Sequence, residues 1–219
     1  MNRLAFGSIV LLFAALGTFV ALAWLGPGSG GAAAPPTVVI EGATKHLVTG
    51  PMAEASRSMI ERMAPPFEAL TIDGKVYKLD ELRRRGPVVL TFIKDGCPCS
   101  ESAQPYFNRL VVAHPGAEFL GVIDVDAEKA ARWASKCRVS YPLLLDPALE
   151  IVRAFHVENS AYVVLIDSGG RIRKHWPGYS SGMLRELGAT LAELTGSGER
   201  PIDIADAPED EYTGCPFDP

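Results

Sequence analysis

The chain has 219 residues, 47% of them apolar, a formal net charge of −5 and four cysteines. That is enough apolar material for one domain with a real core plus extensions. The mild acidity, without a basic patch to neutralise phosphates, argues against a nucleic-acid partner.

From Leu4 to Leu25 run 22 residues without a charge. A helix of that length crosses a bilayer core of about 30 Å. Arg3 precedes the run, and the next Lys or Arg is Lys45. The positive-inside bias then puts the N-terminus in the cytoplasm and the rest of the chain outside. A cleaved signal peptide is the rival reading, with "ALA" at 21–23 and "AAA" at 32–34 as cleavage sites. Its apolar region is usually only about 7–15 residues long, which favours an uncleaved anchor. Residues 1–25 are therefore expected to be a transmembrane anchor or signal segment. Either way the domain is exported, and its cysteines meet an environment that permits disulfides.

Residues 26–62 read as a linker and N-terminal extension. "GPGSGGAAAPP" is flexible to semi-extended, "TVVIEG" a short strand, and 52–63 a helix. A regular pattern starts near residue 63. "FEALTIDGKVYKL" (67–79) is two short strands around Asp73-Gly74, a hairpin signal. "LDELRRRG" is a short helix closed by Gly86. "PVVLTFI" (87–93) is a continuous apolar run, as in a strand buried on both faces. "SESAQPYFNRLVVAH" is a helix that Pro105 starts or kinks. "AEFLGVIDV" is a second buried strand, "AEKAARWASKC" an amphipathic helix, "YPLLLDP" a strand and turn, and "ALEIVRAFHV" a helix. "AYVVLID" and "RIRKHW" flank Ser168-Gly169-Gly170 as a hairpin, and "SGMLRELGATLAELTG" is a last helix ended by Gly196. Residues 197–219 form an acidic, proline-containing tail, expected to be flexible and poorly packed. Strands alternate with helices and close with a hairpin, which predicts an α/β domain with a mixed sheet over 63–196.

The chemistry concentrates at "CPCS", residues 97–100, just after the buried strand. A cysteine between a strand and the start of a helix is placed for reactivity, because free N–H groups and the helix dipole favour the thiolate. Lys94 adds to that, whereas Asp95 and Glu101 oppose it, so nearby charge leaves the direction open. Cys99 stands two residues on. It is either a partner for a strained C-x-C disulfide or a small buried residue of the first helical turn. Cys137 reads as a core thiol. Cys215, in "YTGCPFDP", is a distant resolving thiol, a cysteine that pairs with another chain, or a disordered tail cysteine.

The segment "MAPPFEALTIDGKVYKLDELRRRGPVVLTFI", the segment "YPLLLDPALEIVRAFHV" and the hairpin "AYVVLIDSGGRIRKHWPG" together resemble the AhpC/TSA redoxins of the thioredoxin-like superfamily. The resemblance spans about Met63 to Leu194. It implies a thioredoxin-like fold, a mixed central sheet flanked by helices, here preceded by the N-terminal transmembrane helix. It puts Cys97 at the position of the first redox cysteine. The departures are specific. Ser100 stands where thioredoxin-type proteins carry the second cysteine. Lys94 and Leu90 stand where peroxiredoxins carry Thr and Pro. Ala161 or Tyr162 takes the place of their late Arg, and no cis-proline candidate precedes the late strand.

The resulting expectation is an extracytoplasmic thiol–disulfide oxidoreductase or peroxide-reducing redoxin on the cell membrane. Cys97 is the nucleophile, Cys99 or Cys215 the resolving thiol, and Lys94 and Ser100 are supporting residues. Its partner is a thiol or disulfide protein, or a peroxide, and no cofactor is required. Two alternatives stay open. Cys97 and Cys99 are soft ligands that suit Cu(I), although His156 and His175 show no ligand spacing. The fold is also compatible with a non-catalytic binding module.

Overall fold

The computed structural model of the chain describes residues 46–217. The apolar run Leu4–Leu25, the linker 26–36 and the strand expected in "TVVIEG" lie outside the described residues. Among the described residues, no helix is long and apolar enough to cross a membrane.

The elements follow in order. A short strand β1 (His46–Leu47) precedes helix α1 (Gly50–Met59), whose first turn is capped by the Thr49 hydroxyl accepting the Met52 N–H at 3.4 Å. The hairpin β2 (Glu68–Leu70) and β3 (Val76–Lys78) turns at Gly74, which sits at φ +77°. It forms a two-stranded sheet of its own rather than joining the central one. After helix α2 (Leu79–Leu82) comes β4 (Val88–Ile93), every residue of which is buried. Helix α3 (Pro98–Ala113), strand β5 (Glu118–Ile123) and helix α4 (Ala127–Cys137) follow. Strand β6 (Leu143–Leu145), the short helix α5 (Glu150–Ala154) and the hairpin β7 (Val163–Ile166) and β8 (Ile172–Trp176) lead to helix α6 (Ser181–Thr195). A two-residue strand β9 (Tyr212–Thr213) ends the series.

The central sheet has the order β6-β5-β4-β7-β8, parallel across β6, β5 and β4 and antiparallel across β4, β7 and β8. The mixed sheet expected from the sequence is present. Alternation along β4 divides the core into two layers. Val89 and Ile93 face Phe107, Leu110, Trp133, Leu184 and Leu187 of the later helices. Val88, Leu90 and Phe92 face Met59, Leu82, Ile151 and Phe155. A strand covered on both faces needs apolar residues at every position, which is why β4 reads as an unbroken apolar run.

Three elements differ from expectation. Helix α3 begins at Pro98, ahead of the expected serine, and Pro105 lies inside it. Proline suits that first helical position because its missing N–H would have no partner there. Helix α5 is only five residues long. The Asp146 carboxylate accepts the N–H groups of Glu150 and Val152 at its start, and His156 at φ +54° closes the far end. The stretch after α6 is not loose. Ile202, Ile204, Ala207 and Tyr212 pack on the first core layer, and Phe217 is buried in the second. Strand β9 pairs antiparallel with β1.

Candidate active site

The central strand β4 delivers the chain to the site. Its end is Ile93, and the turn Lys94–Gly96 leads to Cys97, the N-cap residue of α3. Gly96 has φ +73°, a conformation that costs other residues strain. The turn is tied by the Cys97 N–H donating to Lys94 O at 3.2 Å, the Asp95 N–H donating to the Asp124 carboxylate at 2.9 Å, and the Lys94 N–H donating to Ser100 Oγ at 3.3 Å. Ser100 is thus a buried brace for the loop rather than a reacting group.

Cys97 is 1% exposed, and its sulfur sits among donors from three parts of the chain. The Ser160 hydroxyl donates to it at 3.2 Å, and the Cys215 backbone N–H at 3.2 Å. The Cys99 thiol also hydrogen-bonds it. These contacts hold the Cys97 thiol well below the ordinary thiol range. The Cys99 hydrogen bond is the largest cause, and Ser160 and the N–H groups of Cys215 and Ser100 add to it, against a burial effect that pushes upward. Cys99 moves the opposite way, because its proton serves the Cys97 sulfur and it is itself buried beside that charge. Burial and the contact with Cys97 raise Cys215 to about 11. One thiolate therefore faces two protonated thiols.

The structure brings Cys97, Cys99 and Cys215 together. Cys137 is apart from them, packed on the first core layer, and raised to about 11 mainly by burial. Lys94 plays a different part from the one its position suggests. Its ammonium donates to the carbonyls of Pro216 at 2.7 Å and Phe217 at 3.3 Å, so it fastens the tail. Glu101, whose charge would oppose a thiolate, is paired with Lys136 of α4 at 2.6 Å. His175 is a core residue. Its ring nitrogens meet Ser56 Oγ at 3.0 Å and Phe155 O at 2.9 Å, and burial lowers it to about 4. Among the described residues, no group of three or more His, Cys, Asp or Glu is arranged to hold a metal ion.

Sequence reasoning missed Ser160. Nothing in "ENSAY" marks it. Topology places it, because β7 pairs with β4 and the Ala161 N–H donates to Phe92 O at 2.7 Å, setting the preceding residue opposite the nucleophile. Ala161 itself has φ +62°.

A mixed sheet whose middle strand leads through a short turn to a cysteine at the start of a helix, with a second thiol two residues on, is the arrangement of a thioredoxin-like redoxin. The chain belongs to the AhpC/TSA family, whose model matches residues 60–176. Over 114 residues it is 26% identical to the thiol-disulfide oxidoreductase ResA of Geobacillus thermodenitrificans, an alignment that takes in 51% of this chain and 65% of that protein. The chain thus spans just under two thirds of that relative. A secreted disulfide oxidoreductase of Mycobacterium tuberculosis, homologous to E. coli DsbE, superposes with a TM-score of 0.51 at 23% identity, covering 58% of this chain and 96% of that one. Peroxidoxin BcpB from Mycobacterium tuberculosis gives 0.52 at 24% identity, over 63% and 97%. At these identities the two structures share the fold.

Proposed function

We propose that the chain is an extracytoplasmic, membrane-tethered thiol–disulfide oxidoreductase with Cys97 as its nucleophile. The observation that carries this reading is the Cys97 sulfur itself, placed at a helix start and hydrogen-bonded by a hydroxyl, a backbone N–H and a neighbouring thiol. A sulfur so held is the thiolate, and the thiolate is the attacking form. The apolar run Leu4–Leu25, with Arg3 before it and no Lys or Arg after it until Lys45, supports a tether and an extracytoplasmic place, and the ResA relative supports thiol–disulfide exchange.

The Cys97 thiolate attacks one sulfur of a client disulfide. A Cys97–client disulfide forms, and the other client sulfur leaves as a thiolate that takes a proton from water. The Cys99 sulfur then attacks Cys97, the Cys97–client bond breaks, and the Cys99 proton goes to the client sulfur released from Cys97. The client leaves with two thiols, and Cys97–Cys99 is left as a disulfide. Run backwards, the same steps oxidise a client. Cys215 can take the place of Cys99. Exchange suits the site better than peroxide reduction, because the groups around the sulfur are thiols, a hydroxyl and N–H groups rather than an arginine, and Lys94 is engaged with the tail.

The test is turnover of a peptide disulfide with glutathione as the electron donor. Cys97→Ser is expected to abolish it with the fold intact. The double variant Cys99→Ser/Cys215→Ser is expected to accumulate a mixed disulfide at Cys97, visible by mass. Turnover that survives Cys97→Ser would overturn the reading. Comparing the two single serine variants identifies the resolving thiol.

A further inference from the structure

Resting on that reading, the structure points to how clients are recognised. Cys97 is buried, and the C-terminal segment lies against it, the Cys215 N–H donating to its sulfur at 3.2 Å. Tyr212 and Tyr179 exchange both main-chain hydrogen bonds, at 2.9 and 3.0 Å. Further along, the Gly214 N–H donates to Ser160 O at 2.8 Å, the Ser160 N–H to Cys215 O at 2.9 Å, and the Phe217 N–H to Glu158 O at 3.0 Å. Asn159 and Pro216 face each other as an antiparallel bridge. Residues 158–160 therefore present main-chain groups to residues 214–217, which lie antiparallel to them around that bridge. Asn159 Nδ2 adds a bond to Gly214 O at 2.8 Å, and the Lys94 ammonium holds the last two carbonyls.

Side chains fix the register of that segment. A Cβ on residue 214 would lie 2.0 Å from Ser160 Oγ, so only a glycine fits without movement. Cys215 lies beside Cys97. Two positions on, the Phe217 ring is 5% exposed. Yet the docked segment is imperfect. Glu211 Oε1 and Thr213 Oγ1 are buried without hydrogen-bond partners, which weighs against docking.

We propose that Gly214–Phe217 is a displaceable stand-in for the client. Residues 158–160 then take an extended polypeptide carrying a cysteine at the register of Cys215, a small residue before it and a large apolar residue two positions after it. A client sulfur cannot reach a cysteine that is 1% exposed, so the tail leaves first. Its departure frees the Ser160 N–H and C=O, the Glu158 C=O, the cavity of the Phe217 ring and the Lys94 ammonium. An incoming strand can satisfy each of these.

The test uses the full chain and mass-resolved alkylation of Cys97 by iodoacetamide, at a pH where the rate no longer rises. Phe217→Asp, and a chain ending after Thr213, are expected to react on the order of tenfold faster or more. A peptide of residues 211–217 with Cys215→Ser should slow the shortened chain again, and the same peptide with Phe217→Asp should not. Equal rates in native chain and variants, at unchanged thermal midpoint, would overturn the proposal. If the shortened chain melts early, Phe217→Asp together with peptide protection decides in the same way. Disulfide exchange is read separately. Fast alkylation of the opened variants without any exchange would sink the oxidoreductase reading and leave tail docking standing.

Discussion

Replacing Ser160 by Ala removes one donor from the Cys97 sulfur and leaves the backbone pairing of residue 160 with the tail in place. A hydrogen bond to a charged group contributes about 1.5–3 kcal/mol. Sulfur is large and soft, and the donor stands at 3.2 Å, so the lower end applies. At about 1.4 kcal/mol per pKa unit, Cys97 should rise by about one unit. It stays below the ordinary thiol range, because the Cys99 and Cys215 donors remain. The linked stability follows with a fixed sign. A thiol whose folded pKa lies below its unfolded one adds stability above the unfolded pKa and loses it as pH falls through the folded one. In Ser160→Ala that loss begins from a smaller total and ends at a higher pH. The assay is the pH profile of Cys97 alkylation, quantified on the Cys97 peptide by mass. Cys99 and Cys215 are held protonated and do not interfere at low pH. A midpoint that stays put, or moves down, would refute the assignment of Ser160 as a thiolate donor.

Other predictions follow from groups away from the sulfur. His175 is lowered to about 4 by burial, so the neutral ring belongs to the folded state. Its contribution is complete above the unfolded value near 6.5 and is lost as pH falls toward 4, up to about 3 kcal/mol. Urea unfolding at several pH values checks this, and a His175→Gln chain with the same pH slope would contradict it. Tyr141→Phe deletes a buried hydroxyl that donates to Gln104 Oε1 at 3.0 Å and lies 3.1 Å from Thr91 Oγ1. It should cost about 1–3 kcal/mol in urea unfolding, because two buried groups lose a partner. Gly96→Ala meets no atom within 4 Å but must hold φ +73°, so a loss of about 1–2 kcal/mol is expected with little change in the sheet. An unchanged urea midpoint would show that the turn relaxes to another conformation.

Local signals were legible in the sequence wherever local chemistry decides the outcome. The unbroken run 87–93 gave β4 because a strand covered on both faces tolerates only apolar residues. The Asp73-Gly74 and Ser168–Gly170 turns gave their hairpins, and Gly196 at φ +63° ends α6. Cys97 and Cys99 were legible as a pair for the same reason. What failed was long-range. Ser160 and the Cys215 N–H meet the sulfur across 63 and 118 positions of sequence, and no local pattern encodes that. Lys94 lies three residues from Cys97, which suggests an electrostatic partner, yet its side chain reaches the carbonyl of residue 216. Glu101 was misjudged because its ion pair with Lys136 exists only once α3 and α4 pack together. The acidic composition of 197–219 suggested a loose tail, but Ile202, Ile204 and Phe217 are placed where they bury against the core.

The scattered origin of the donors around Cys97 has a consequence for biogenesis. Two of them are assembled only when distant segments of the chain meet. A partly folded chain, or one whose last residues have yet to emerge, lacks the Ser160 or the Cys215 donor and holds Cys97 closer to the ordinary thiol range. The full lowering of its pKa arrives only with the finished tertiary structure, so the site is completed last, when the late strand and the tail have joined the core.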